Sequence, residues 1–175
     1  MKQKRLIIRS VILIVMVAAI GYTFWSHFST ERGLVDEGDV APNFVLRDLE
    51  DNPIELNDLK GKGVYMNFWA TYCSFCRQKM QYLRDHYEDY REKGVEIVAV
   101  NVNESKVQVE RHKQRFDINY RLFIDRNNLV TNAYGVATLP TTFLIDENGI
   151  VMERQLGAKT EEQVLESLDR LIPGS

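Results

Sequence analysis

Hydrophobic positions along the chain change spacing several times, and each change marks an element. Residues 11–25, "VILIVMVAAIGYTFW", carry no charge, and Leu6-Ile7-Ile8 extend that stretch past Arg9. A helix over Leu6–Trp25 has about the 20 residues needed to cross a bilayer core of roughly 30 Å, with Arg9 snorkelling to the headgroups. Tyr22, Phe24 and Trp25 gather at its far end, where amphipathic aromatic rings settle at the interface. Downstream, Phe44-Val45-Leu46 and Ile54-Glu55-Leu56 flank "RDLEDNP" and predict a hairpin. Val64 to Ala70 predicts a short apolar strand. From Ser74 to Lys93 the spacing turns helical, with Met80, Leu83, Tyr87 and Tyr90 on one face and Gly94 as the stop.

Val95–Val102, "VEIVAVNV", is a nearly continuous β-branched run, as in a strand buried on both faces. A helix over Ser105–Phe116, a strand over Arg121–Asp125 and a helical turn around Leu129–Tyr134 follow. Thr141–Leu156 reads as a hairpin around Glu147-Asn148-Gly149. Thr160-Glu161-Glu162-Gln163 is a capping box opening a last helix with Val164, Leu165, Leu168, Leu171 and Ile172 inward. Strands alternating with helices imply a sheet with a parallel portion, covered on both faces. Sites in such sheets form beyond the carboxyl ends of strands, which here means 71–76, 103–105 and 138–140.

Composition adds an organisation. The 175 residues allow one membrane segment and one ordinary domain, and a hydrophobic share of 45% is normal for a globular chain. Residues 1–29 hold four of the 22 basic residues and none of the 25 acidic ones, which leaves the rest at a net −7. An acidic body opposes nucleic-acid binding. The positive N-terminus favours a cytoplasmic start with everything after residue 28 outside. Ala19-Ile20-Gly21 is a weak cleavage signal, so a cleaved signal peptide is the alternative; either exports the domain. The expected organisation is a cytoplasmic basic segment at 1–9, a transmembrane signal-anchor at 10–28, a tether at 29–35 and an extracytoplasmic domain at 36–173.

Cys73 and Cys76 are the chain's two cysteines, placed where a strand hands over to a helix. Backbone N–H groups at a helix N-terminus stabilise a thiolate. Cys73 at the helix mouth suits attack on a disulfide, and Cys76 one turn inside suits resolution of the mixed disulfide. A staple across so short a loop removes little unfolded-state entropy. A zinc site would need two more ligands, and His86 and His112 fall on predicted helices and read as surface residues. Neither metal nor cofactor is expected.

"FWATYCSFC" followed by "LPTTFLID" resembles the thioredoxin fold. The stretch "APNFVLRDLEDNPIELNDLKGKGVYMNFWA" is similar to the extra N-terminal β-hairpin of its membrane-anchored, exported members. "KGKGV", "GVEIVAVNVNESK" and "LPTTFLI" are similar to the ResA type, the extracytoplasmic thiol–disulfide oxidoreductase of cytochrome c maturation, in the redoxin-like branch. The resemblance implies an α/β thioredoxin-like domain, a central mixed sheet flanked by helices with an N-terminal hairpin, after one transmembrane helix of a bacterial cell membrane. It implies Cys73 as nucleophile and Cys76 as resolving thiol. It also implies a cis Pro140 that, with Leu139 and Tyr72, contacts extended substrate backbone. Partners would be the C-x-x-C-H site of apocytochrome c and a membrane electron donor of the CcdA type.

Glu104 matches an acidic residue near the site in that family, and its alternative is a solvated loop charge. Asn67 stands where thioredoxins bury an aspartate. Tyr72, Ser74-Phe75, Lys79 and Gln81 depart from the usual tryptophan, Glu-Pro, glutamate and helix proline. Lys79 reads as a solvated helix lysine; if it reached the pair it would favour thiolate. The same chemistry on spore or envelope proteins, or net oxidation, remains open. A thiol peroxidase shares the opening Ala41-Pro42-Asn43-Phe44 but needs other residues at Ala70 and Met66. A copper carrier on this fold needs C-x-x-x-C.

Overall fold

The structure, a computed structural model, describes residues 12–23 and 35–174. Residues 12–23 form helix α1, exposed along its length. Among the described residues no helix is long and apolar enough to cross a membrane. The remainder of the predicted 10–28 span, and 29–34 of the predicted tether, lie outside the described residues.

Residues 35–174 form a compact unit by themselves. A short antiparallel hairpin, β1 (Val45–Arg47) and β2 (Pro53–Glu55), precedes a five-stranded sheet. The sheet order is β5 (Leu122–Asp125), β4 (Val95–Val102), β3 (Gly63–Trp69), β6 (Thr141–Ile145), β7 (Val151–Leu156). β3, β4 and β5 run parallel, and β6 and β7 are antiparallel to their neighbours. Chain order moves outward from β3 to β4 to β5. Right-handed crossovers therefore lay α2 (Ser74–Glu92) and α3 (Lys106–Arg115) on one face of the sheet. The chain then returns through α4 (Leu129–Ala133) on the other face before α5 (Glu161–Asp169) closes the domain.

Two cores result, one per face, and strand alternation assigns residues to them. Tyr65, Trp69, Ile97, Ala99, Leu122 and Leu144 meet Met80 and Leu83 of α2, Val109 of α3 and Val164 and Leu168 of α5. Val64, Met66, Phe68, Val98, Val100 and Phe143 meet Leu46, Ile54, Val130 and Tyr134. Every residue of β3 is buried, as its apolar run predicts.

The helix starts follow their capping sequences. Ser105–Gln108 and Thr160–Gln163 both form complete capping boxes. Helix α5 ends at Asp169, ahead of the predicted Ile172, although Leu171 still packs into the core. Gly94, at φ +87°, takes the left-handed position that stops α2. Gly63 is required for a different reason: a Cβ there would land on the Leu171 carbonyl.

Candidate active site

The central strand β3 ends at Trp69, and the fully buried Ala70 carries the chain into a turn. The N–H of Cys73 donates to the Ala70 carbonyl at 3.2 Å, which closes that turn. Cys73 is then the N-cap of α2, in extended conformation (φ −85°, ψ 107°), and its sulfur accepts the N–H of Cys76 at 3.1 Å. A capping side chain normally satisfies one of the orphan N–H groups of the first turn; here sulfur does so. Cys73 and Cys76 are joined as a disulfide with Cα atoms 5.2 Å apart. Their environments differ: Cys76 is fully buried in the α2 face of the core, whereas Cys73 is half-buried at its edge. Tyr72 and Phe75, at 75% and 60% exposure, flank the pair as uncovered aromatic rings.

The second predicted segment meets the first. Glu104 lies on the loop after β4, and its carboxylate accepts the Thr71 N–H at 2.7 Å and the Thr71 hydroxyl at 2.5 Å. It also accepts Asn101 Nδ2 at 2.7 Å, while its own N–H donates to Asn101 Oδ1 at 3.1 Å. Glu104 is thus a tie that fixes the turn two residues ahead of Cys73, and the alternative of a solvated loop charge does not hold. The third segment contributes a cis Leu139–Pro140 peptide. Leu139 is half-buried and packs, like Cys73, against the α2-side core. Pro140 is buried, and its carbonyl accepts the Gly157 N–H at 2.9 Å.

A cysteine pair split between an exposed helix mouth and a buried first turn is the geometry of dithiol–disulfide exchange. The redoxin family profile matches residues 36–172. The chain belongs to the redoxin family. A relative from Geobacillus thermodenitrificans, named thiol-disulfide oxidoreductase ResA, is 47% identical over 98% of this chain and 99% of its own length. A ResA from Bacillus cereus is 40% identical over 99% and 100%. A solved structure from Chlorobium tepidum, described provisionally as the thiol:disulfide interchange protein DsbE, is 31% identical. It covers 77% of this chain and 99% of that one, with a TM-score of 0.69. With these relatives, the protein is a thiol–disulfide oxidoreductase.

In this redoxin two expectations need correction. Lys79 is not a solvated helix lysine. It is 1% exposed, and its Nζ donates to Thr142 Oγ1 at 2.9 Å. The Thr142 hydroxyl donates in turn to Asn67 Oδ1 at 3.1 Å, so Lys79, Thr142 and Asn67 form one buried chain between α2, β6 and β3. Asn67 Nδ2 finds no partner among the described residues. Burial, followed by the nearby Lys159 charge, pushes the Lys79 amine down to about 8. The physical reason is helix phase: α2 turns Cys76, Lys79, Met80 and Leu83 to the same sheet face.

His112 is the second correction. It is 6% exposed, packed between Trp69 and Phe116 with ring centroids at 4.9 and 4.6 Å, and its Nε2 lacks a partner. Burial first, then the Arg77 charge, lowers its pKa, which keeps the ring neutral. His86, by contrast, is half-exposed and pairs with Glu161 at 2.9 Å. Sequence reading missed Thr71 and Thr142, which connect Glu104 and Lys79 to the site. Thr142 is opposite Asn67 in the β3–β6 register, a pairing that no local spacing reveals.

Proposed function

We propose that this oxidoreductase works as an extracytoplasmic reductant of disulfides in exported proteins. The client we infer is the C-x-x-C-H haem site of apocytochrome c before haem attachment. The observation that carries the exchange scheme is the asymmetry of the pair, half-buried Cys73 against fully buried Cys76. Relatives named ResA support the assignment.

In the reduced protein the Cys73 thiolate, stabilised by the N–H groups and dipole of α2, attacks one sulfur of the client disulfide. The Cys73–client bond forms, the client disulfide breaks, and the first client thiolate leaves and takes a proton from water. Cys76 then attacks the Cys73 sulfur and releases the second client thiolate. Two electrons pass from the protein dithiol to the client, and the product is the Cys73–Cys76 disulfide seen in the structure. Tyr72, Leu139 and Pro140 are the residues against which client backbone would dock, and Glu104 holds the turn that presents Cys73. Outside the cytoplasm such a dithiol acts repeatedly only if it is re-reduced. A membrane donor of the CcdA type fills that role, and an N-terminal signal-anchor at 10–28 keeps the protein beside it. The four positive charges of residues 1–9 ahead of an apolar run support that orientation.

A second reading is net oxidation, or the same chemistry on other envelope proteins; Lys79 favours the oxidation, because a cation near the pair stabilises thiolate and hence the dithiol form. Replacing the resolving thiol separates the clients. The Cys76→Ser full-length protein, expressed in a host that makes cytochromes c, is expected to accumulate a mixed disulfide through Cys73 with apocytochrome c. Trapping of other envelope proteins with no apocytochrome would contradict the proposed client.

A further inference from the structure

Lys79 is a charged side chain to which the exchange scheme gives no task. It lies on the buried face of α2, one turn beyond Cys76. Residues three apart on a helix are neighbours, with about 5–6 Å between Cβ atoms. Among the described residues Lys79 pairs with no carboxylate, and its amine bonds to the Thr142 hydroxyl alone. A buried cation without an anion is unfavourable, and so is a thiolate in apolar surroundings. Cys76 is fully buried, so once the Cys73–Cys76 bond opens its sulfur is such a thiolate in the making. Each group supplies what the other lacks.

We propose that Lys79 is the charge partner of Cys76: its buried ammonium stabilises the Cys76 thiolate that attacks the Cys73 sulfur. The inference rests on the reading of Cys73 and Cys76 as an exchange pair. In the mixed disulfide, the Cys76 thiol and the Lys79 ammonium together lose one proton to solvent and keep the other on nitrogen. The Cys76 thiolate attacks the Cys73 sulfur, the Cys73–Cys76 bond forms, and the bond from Cys73 to the client breaks. The client departs as a thiolate. The ammonium then faces a closed disulfide in place of its anion, and its hold on the proton weakens. Lys79 acts through Cys76 and is a positioning residue that supplies charge.

Pushed down to about 8 while the disulfide is closed, the amine still carries its charge at neutral pH. The amine bonds to Thr142 of β6, which in turn meets Asn67 and Tyr65 of β3, and Lys159 comes near it from the segment between β7 and α5. Burial raises the Tyr65 hydroxyl far above neutrality, so it stays uncharged. Glu153 of β7 is held by Arg170 and by Gln155, at 3.1 Å from the latter. None of these is an anion free to pair with Lys79, which leaves the Cys76 sulfur.

The direct test is a titration of the Lys79 side chain by NMR, on full-length protein with ¹³C-labelled lysine in detergent micelles, in both redox forms. The amine is expected to titrate near 8 in the disulfide form and at least about one unit higher in the dithiol form, because an anionic neighbour favours the charged amine. Equal values in the two forms would overturn the proposal. A kinetic test uses the mixed disulfide of Cys73 with thionitrobenzoate, from which Cys76 expels a coloured thiolate. At neutral pH the Lys79→Met protein is expected to release it about tenfold more slowly, and to regain the rate only at higher pH. Its reduction potential should also become more negative, since the dithiol form has lost a stabilising charge. An unchanged rate, pH profile and potential would overturn the assignment. No release even from the unmodified protein would remove the exchange reading and this inference together.

Discussion

A lysine amine that is 1% exposed makes the folded state sensitive to pH in a direction opposite to that of most ion-paired lysines. Its folded value is about 8, against an ordinary 10.5. Below pH 8 folded and unfolded chains both hold the proton, so the burial penalty is fully present. Between about 8 and 10.5 the unfolded chain holds more protons, and stability rises with pH. Tyr87 and Tyr90, raised to about 12 mainly by burial, act in the opposite direction, but only above about pH 10. Denaturant unfolding of the oxidised protein is therefore expected to show a gain of about 2 kcal/mol from about pH 7.5 to 9.5. Lys79→Met should abolish it, and a flat profile in the unmodified protein would contradict the buried-cation assignment. The signal for this burial was present in the sequence. The apolar positions 80, 83, 87 and 90 define the inner face of α2, and Lys79 falls on it one turn after Cys76. Lysine's usual preference for solvent obscured that phase. His112 was obscured similarly, because its partners Trp69 and Phe116 lie on other segments.

At the scale of elements, the lengths and types of the strands and helices follow from local pattern, and their ends follow from caps that are also local. The two capping boxes and the Gly94 stop needed no tertiary information. The end of α5 did. The chain leaves helical geometry after Asp169 while Leu171 continues into the core and its carbonyl covers Gly63. This contact makes the start of β3 intolerant of any side chain. Gly63→Ala is expected to destabilise the domain by about 3 kcal/mol, as overpacking against backbone does. That corresponds to a fall of roughly 10 °C in melting temperature for a domain of this size. A shift below about 2 °C would mean that the Leu171 segment yields without cost, and that the close approach does not constrain the fold.

At the scale of the molecule, the sheet order brings together three segments that are far apart in the chain. The turn after β3 carries the cysteines, the loop after β4 ties that turn through Glu104, and the segment entering β6 brings the cis proline. That these three would meet was legible, because the carboxyl ends of parallel strands gather on one edge. The bonds between them were not, because Thr71 and Thr142 act through register and turn geometry rather than through spacing. The same arrangement serves reductants and oxidants: thioredoxin-fold potentials range from about −270 to about −120 mV. Direction is therefore the central question, and the reduction potential of the full-length protein decides it most directly. The proposed reductant is expected to equilibrate with glutathione or dithiothreitol buffers at about −270 mV or below. A value near −120 mV would contradict it and make the protein a net oxidant.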